Sequence, residues 1–125
     1  NLHANLALLK LLHPLLLKSD AGRVVGVTSA RARGNKPYWG AYGASKAAFE
    51  VLIGTYAEEQ RDTAIKANLF DPGPTATPMR AEAMPGEDPS TITQPQSIAE
   101  WICDLLDPAL DQTAELIVHP RPEGV

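Results

Sequence analysis

The sequence has one cysteine and no basic run, and these shortages limit what the protein can be. Cys103 has no cysteine with which to form an internal disulfide, which favours a reducing compartment, and we expect it to be a small buried hydrophobic residue. The three histidines, His3, His13 and His119, are too scattered to suggest a ligand set, so no metal site is predicted. A net charge of -4 without a Lys/Arg stripe argues against a nucleic-acid partner.

A long uninterrupted apolar run is also missing. The leucine-rich start, residues 1–17, is broken by Asn5, Lys10, His13 and Pro14, so it is typical of neither a membrane span nor a signal peptide. We therefore expect a soluble, cytoplasmic protein with no membrane partner. The first residue is not Met, and we expect the chain to be part of a longer protein.

Apolar residues recur with helical and strand periods along most of the chain. Leucines three and four apart predict a first amphipathic helix over 1–17 with two apolar strips, and Pro14 predicts a kink or a shifted boundary there. A short, nearly continuous β-branched run predicts a buried strand over 23–28. Further strands are predicted over 65–70, which the turn at 71–74 closes, and over 115–118. Further helices are predicted over 42–61 and 95–106, and segment 74–95 is predicted to be a long loop.

This order predicts an α/β fold, a partial Rossmann-like doubly wound parallel sheet flanked by helices on both faces, with right-handed crossovers. The helix over 42–61 is expected to bury its alanine-rich side, which comprises Ala44, Ala47, Ala48, Val51, Leu52 and Tyr56. Arg31, Arg33 and Lys36 in the preceding loop are interpreted as a solvated basic cluster.

Three polar residues are expected to meet at the carboxyl edge of this sheet. Ser29 ends the first strand, and Tyr42 and Lys46 lie four residues apart, on one face of the following helix. A free phenol has a pKa of about 10, and a fixed ammonium nearby lowers it toward the working range of a general acid or base. A Tyr four residues before a Lys is nevertheless common in surface helices by chance.

The pair is accompanied by further matching motifs, and with them the chain resembles the short-chain dehydrogenase/reductase family. Its Tyr-x-x-x-Lys motif appears as Tyr42 to Lys46, and its strand-end serine is Ser29, thirteen residues earlier. Asn1-Leu2 matches the helix start that carries the family's asparagine. The loop motif Pro-Gly-x-x-x-Thr appears as Pro72-Gly73-Pro74-Thr75-Ala76-Thr77.

The resemblance implies an NAD(P)-dependent oxidoreductase that interconverts an alcohol and a ketone or aldehyde. It implies that Asn1, Ser29, Tyr42 and Lys46 form a proton relay in which Tyr42 is the acid or base. The cofactor, NADP or NAD, would contact a second set, which is Tyr42, Lys46, Pro72, Gly73, Thr75 and Thr77. It also implies a homodimer or homotetramer, paired through the helices over 1–17 and 42–60.

Two departures from the family pattern leave alternatives open. Asp71 replaces the asparagine usual before Pro-Gly, and no Gly-rich phosphate turn is present. Residues 1–125 are therefore interpreted as a single partial domain, the catalytic half, with the amino-terminal dinucleotide-binding half absent, and we expect the isolated chain to be inactive. The alternatives are a 3-oxoacyl thioester reductase and a truncated, non-catalytic fragment that dimerises. Ser29, Thr75 and Thr77 have ordinary loop roles as their other interpretation.

Overall fold

A parallel sheet of three strands organises residues 1–120, the part of the chain that the computed structural model describes. Its strands are β1 (Arg23–Val27), β2 (Lys66–Asp71) and β3 (Leu116–Val118), hydrogen-bonded in that order. The predicted α/β class with a parallel sheet is confirmed. The predicted domain over 1–125 ends with five residues that lie outside the described part.

Within residues 1–120, four α-helices accompany the sheet: α1 (His3–Lys18), α2 (Gly40–Glu59), α3 (Pro78–Ala83) and α4 (Pro95–Leu105). Helix α1 continues through Pro14 to Lys18, so no boundary shift occurs there. Segment 74–95 is only partly the predicted loop, because it contains α3 and a 3₁₀ turn at Pro89–Thr91. Thr77 begins α3 by accepting a hydrogen bond from the backbone N–H of Arg80 at 3.2 Å, which is an N-cap that periodicity alone does not reveal.

Two apolar layers cover the two faces of the sheet. On one face, α1 and α2 pack around a buried group that comprises Tyr56, Ala57, Ile65 and Ala67. On the other face, α4 packs Ile98 and Leu105 against Phe70. Val24 joins the first layer and Val25 the second, as the alternation of a strand requires. The prediction of helices on both faces is thus confirmed.

The two crossovers between strands differ in hand. The chain moves one strand further in the same direction each time, first through α2 on one face and then through α4 on the opposite face. Two such steps over opposite faces have opposite hands, so the prediction of right-handed crossovers throughout is wrong. The second connection, residues 72–94, is long enough to carry the chain around the carboxyl edge, and this removes the constraint that acts on short crossovers.

The buried side of α2 agrees only in part with the prediction, since Tyr56 is buried as expected but Ala44 and Val51 are exposed. Its buried residues are Phe49, Ile53, Tyr56 and Ala57, whereas Val51 is 69% exposed. Burying Phe49 and Ile53 removes more apolar surface from water than burying alanines does, so the larger side chains determine which way the helix faces. Cys103 is exposed on α4, and the expectation of a buried cysteine is wrong.

One buried polar side chain ties β2 to the segment before β3. Asn68 is 1% exposed; its Nδ2 donates to the carbonyl of Gln112 at 2.9 Å, and its Oδ1 accepts from the N–H of Glu115 at 3.1 Å. The amide therefore satisfies two backbone groups that the short strand β3 leaves unpaired.

Replacing Asn68 with Ala should lower the free energy of unfolding by about 2–4 kcal/mol, because both backbone groups lose their partner inside the protein. Urea denaturation of the full-length protein measures the change. Asn35→Ala, at an exposed loop position, serves as the control and should leave the midpoint nearly unchanged. Equal midpoints for the two variants would contradict this role of Asn68.

Candidate functional site

The carboxyl ends of β1 and β2 meet at one edge of the sheet. Val27 is paired in parallel with Phe70, and the N–H of Thr28 extends the ladder by donating to the carbonyl of Phe70 at 2.8 Å. Ser29 lies two residues after the end of β1, and Asp71, the last residue of β2, begins the Asp71-Pro72-Gly73 turn. Both predicted groups of site residues therefore begin at the same edge, where ligands of parallel sheets bind.

Ser29 lies half-buried in extended backbone at φ -158° and begins a short 3₁₀ turn, Ala30–Ala32. Its hydroxyl oxygen accepts from the N–H of Arg31 at 3.3 Å. That contact uses a lone pair and leaves the hydroxyl proton available for donation. Ser29 thus has the capping role of its ordinary interpretation and still retains a donor.

Tyr42 and Lys46 occupy the first turns of α2, and both are half-buried. The ring of Trp39 stands edge-on to the ring of Tyr42, with 5.5 Å between centroids and 81° between planes. Lys46 Nζ donates to the carbonyl of Val27 at 2.9 Å and lies 5.5 Å from the centroid of Phe49. The ammonium is therefore bound to the strand that leads to Ser29.

Burial lowers the pKa of Lys46 from its ordinary value of 10.5, because its charged form is partly desolvated. The contact with Val27 uses one of the three ammonium protons, so two remain for other acceptors. A lysine in this state supplies positive charge and hydrogen-bond donors beside the strand end.

Asn1 reaches the same helix from the start of α1. Its Nδ2 donates to Ser45 Oγ at 3.0 Å, and Ser45 Oγ donates to the carbonyl of Tyr42 at 2.8 Å. Asn1 is exposed, and Asn5 donates to its backbone carbonyl. The structure thus brings Asn1 to the turn between Tyr42 and Lys46.

The loop after β2 has a backbone that needs glycine. Gly73 has a φ of +68°, in the left-handed region, and no atom lies within 4 Å of the position that a Cβ would occupy. Thr75 Oγ1 donates to the carbonyl of Gly73 at 3.3 Å, and Ala76 donates to the carbonyl of Thr93 at 2.9 Å. The loop is shaped by these internal bonds, and the hydroxyl of Thr77 is engaged in capping α3.

Sequence reasoning missed an ionic network at this edge. Arg33 contacts both Glu50 on α2 and Asp71 at the end of β2, so its interpretation as part of a solvated cluster is wrong. Thr28 Oγ1 donates to Glu50 Oε1 at 2.7 Å. The acidic residue in place of the usual asparagine before Pro72 was the signal, because a buried carboxylate requires a cation.

A cleft of about 600 Å³ opens beside this edge, between residues 31–39 and the first turns of α2. Trp39, Gly43 and Ala47 line it, whereas Ser29, Tyr42 and Lys46 do not. In residues 1–120 no three His, Cys, Asp or Glu side chains are arranged to hold a metal ion. The helices of that same part are all too short or too polar to cross a membrane.

Two known proteins resemble this chain in sequence over part of its length. The oxidoreductase YciK of Escherichia coli K12, itself uncharacterized, is 43% identical over 98 residues, which cover 78% of this chain and 38% of YciK. An NADPH-dependent aldehyde reductase-like chloroplast protein of Arabidopsis thaliana is 45% identical over 64 residues, 51% of this chain and 24% of that protein.

Solved structures extend the likeness over 92% of this chain. A short chain dehydrogenase from Salmonella enterica serovar Typhi superimposes with a TM-score of 0.87 at 37% identity, and 48% of that protein is covered. One from Escherichia coli CFT073, solved with NADPH, gives 0.86 at 38% identity and the same coverage. This chain spans less than half the length of each of these four relatives.

The family model for short chain dehydrogenases matches residues 1–88, from the start of the chain through α3. The matched part includes the ends of β1 and β2 together with the helix between them, and therefore the whole edge described above. This chain belongs to the short chain dehydrogenase family.

Proposed function

We propose that the full-length protein is an NADP(H)-dependent oxidoreductase that interconverts an alcohol and a ketone or aldehyde, with Tyr42 as the proton donor or acceptor. Lys46 carries the proposal: its half-buried ammonium lies one helical turn after Tyr42 and is bound to the strand end that leads to Ser29. The choice of NADP(H) rests on two relatives, one named for NADPH dependence and one solved with NADPH.

The residues at the carboxyl edge fit the nicotinamide end of such a cofactor. Gly73 presents backbone without a side chain, and the space beside it is open, so a flat group has access to its peptide. Lys46 has two unused ammonium protons for ribose hydroxyls, and Pro72, Thr75 and Thr77 complete the proposed contacts. When bound, the nicotinamide supplies or accepts the hydride.

The protein would handle the proton and the developing charge. In reduction, Tyr42 Oη–H gives its proton to the substrate oxygen as that oxygen becomes negative, while Ser29 Oγ–H donates a second hydrogen bond to the same oxygen. The ammonium of Lys46 stabilises the phenolate that remains, which lowers the cost of the transfer. Oxidation follows the same path in reverse.

Asn1 is proposed to link this pair to solvent. Its contact with Ser45 places it beside the turn that joins Tyr42 to Lys46, and it is itself exposed. A water held by its amide could return a proton to Lys46 and from there to Tyr42. The four residues would then form a relay from solvent to substrate.

We further propose a homo-oligomer, because Leu8, Leu11 and Leu15 form an exposed apolar strip on α1. The cytoplasmic location stays a prediction.

We expect sedimentation velocity of the full-length protein to show a dimer or tetramer that Leu11→Glu shifts toward the monomer. A wild-type protein that sediments as a monomer at micromolar concentration would contradict the oligomer.

Tyr42→Phe should lower kcat by about 100- to 10,000-fold, because phenylalanine has no proton to transfer. NADPH affinity should stay within about threefold, since the ring remains in place. The assay is NADPH oxidation in the full-length protein with a panel of ketones, aldehydes and a 3-oxoacyl thioester, which also tests the reductase alternative. Tyr38→Phe, at a wholly exposed position nearby, is the matched control. Turnover retained by Tyr42→Phe would show that the proton donor is another group.

The titration midpoint of Lys46 should lie below pH 10.5, because burial disfavours its charged form and so lowers its pKa. The folded state then binds fewer protons than the unfolded chain between the depressed pKa and 10.5. The contribution of this residue to the free energy of unfolding should therefore rise with pH through that window. The Nζ and Cε chemical shifts of Lys46 across a pH titration measure the midpoint, and Lys46→Met assigns the signal. A midpoint at or above 10.5 would contradict the partial desolvation.

A further inference from the structure

Arg33 joins two acidic side chains that belong to different elements. Its Nη1 contacts Oε1 of Glu50, and its Nη2 contacts Oδ2 of Asp71. Glu50 lies one helical turn after Lys46 on α2, and Asp71 ends β2 immediately before Pro72. A planar guanidinium that bridges two carboxylates fixes their separation through two charge-assisted hydrogen bonds.

The two carboxylates of this bridge are largely buried, which raises the free-energy cost of breaking it. The side chains of Asp71 and Glu50 are 4% and 16% exposed, whereas that of Arg33 is 34% exposed. Two largely buried carboxylates therefore share one cation. Without Arg33 the carboxylate of Asp71 would have no compensating charge in this network, which is costly at such a depth.

Both ends of the bridge continue into the proposed site. Thr28, the residue before Ser29, donates to Glu50 Oε1 at 2.7 Å. On the other side, the N–H of Gly73 donates to Asp71 Oδ1 at 3.1 Å. One set of contacts thus runs from the end of β1 through α2 and Arg33 to the loop that contains Gly73.

We infer that Arg33 is a positioning residue that holds the Pro72-Gly73 loop at a fixed place relative to the helix of Tyr42 and Lys46, and so prepares the loop for NADP(H). The inference rests on the proposed function of that loop. The mechanism is indirect: Arg33 fixes the carboxylate of Asp71, whose second oxygen orients the peptide of Gly73.

The test replaces Arg33 with Gln in the full-length protein and has two readouts. Hydrogen exchange of the Gly73 amide, followed by NMR without cofactor, should accelerate by about tenfold or more, because its acceptor is no longer held. NADPH affinity, followed by nicotinamide fluorescence, should weaken by about tenfold, since the loop must then be ordered on binding. Arg33→Lys, which keeps a charge but not the two-pronged contact, should give a smaller change in the same direction and covers the case in which Gln prevents folding.

Two further variants separate positioning from general stabilisation. Arg61→Gln breaks the exposed Arg61–Glu58 pair at the other end of α2 and should change neither readout by more than about twofold. Adding Asp71→Asn to Arg33→Gln removes the uncompensated charge and keeps an oxygen for the N–H of Gly73. That double variant should recover the urea midpoint of unfolding but neither the exchange protection of Gly73 nor the NADPH affinity, because the guanidinium that fixes side chain 71 is still missing. A mere loss of overall stability would instead be relieved together with the charge, and all three readouts would recover.

Unchanged exchange of Gly73 in Arg33→Gln would overturn the inference, as would accelerated exchange with unchanged NADPH affinity. If the wild-type protein binds no NADPH, the proposed function fails instead. In that case the exchange of Gly73 alone decides whether Arg33 holds the loop, because that readout needs no cofactor.

Discussion

The parallel pairing of β1 with β2 is the constraint on which the rest of the site depends. It aligns Val27 with Phe70, so the chain leaves both strands at one edge. The helix between them must begin at that edge, because it starts where the chain returns from the end of β1. Tyr42 and Lys46 lie in its first turns, and Lys46 then binds back to the carbonyl of Val27. Strand pairing, helix start and ammonium contact therefore support one another.

Charged side chains of α2 form two separate contacts at this edge. The Lys46 ammonium faces the end of β1, where a positive charge favours a phenolate or a negative substrate oxygen. One turn later, Glu50 faces Arg33 and Asp71, where the charges compensate one another in a largely buried position. We infer that the first arrangement serves the chemistry and the second holds the backbone in place. The two occupy consecutive turns of one helix, so a shift of α2 would disturb both.

Much of this could be predicted from the sequence, and the failures have identifiable causes. The strands, the main helices and the family were predicted correctly because β-branched runs, leucine spacing and the Tyr-x-x-x-Lys motif are local signals. The buried side of α2 was predicted only in part, because alanines are compatible with both core and surface, whereas Phe49 and Ile53 gain most from burial. The hand of the second crossover depends on how a long connection passes the sheet edge, which no local pattern records.

The candidate site likewise contains residues that sequence motifs predict and residues that only the folded structure reveals. Ser29, Tyr42, Lys46 and the Pro72-Gly73 turn follow from motifs, and their roles stay proposals. Arg33 was wrongly interpreted as solvated, because an arginine in a polar loop has the same local sequence whether it is solvated or bound. Its partners lie 17 and 38 residues away along the chain, and only the folded arrangement brings them to it. Asp71 was noticed as a departure, but its consequence depends on burial, which the sequence around it does not reveal.

The most direct test of the central claim is a crystal structure of the full-length protein with NADPH and a non-reactive carbonyl ligand. We expect Tyr42 Oη and Ser29 Oγ both to lie about 3 Å from the ligand oxygen, and Lys46 Nζ to donate a hydrogen bond to a hydroxyl of the nicotinamide ribose. A ligand oxygen held by other groups, with the Tyr42 hydroxyl directed away from it, would contradict the account.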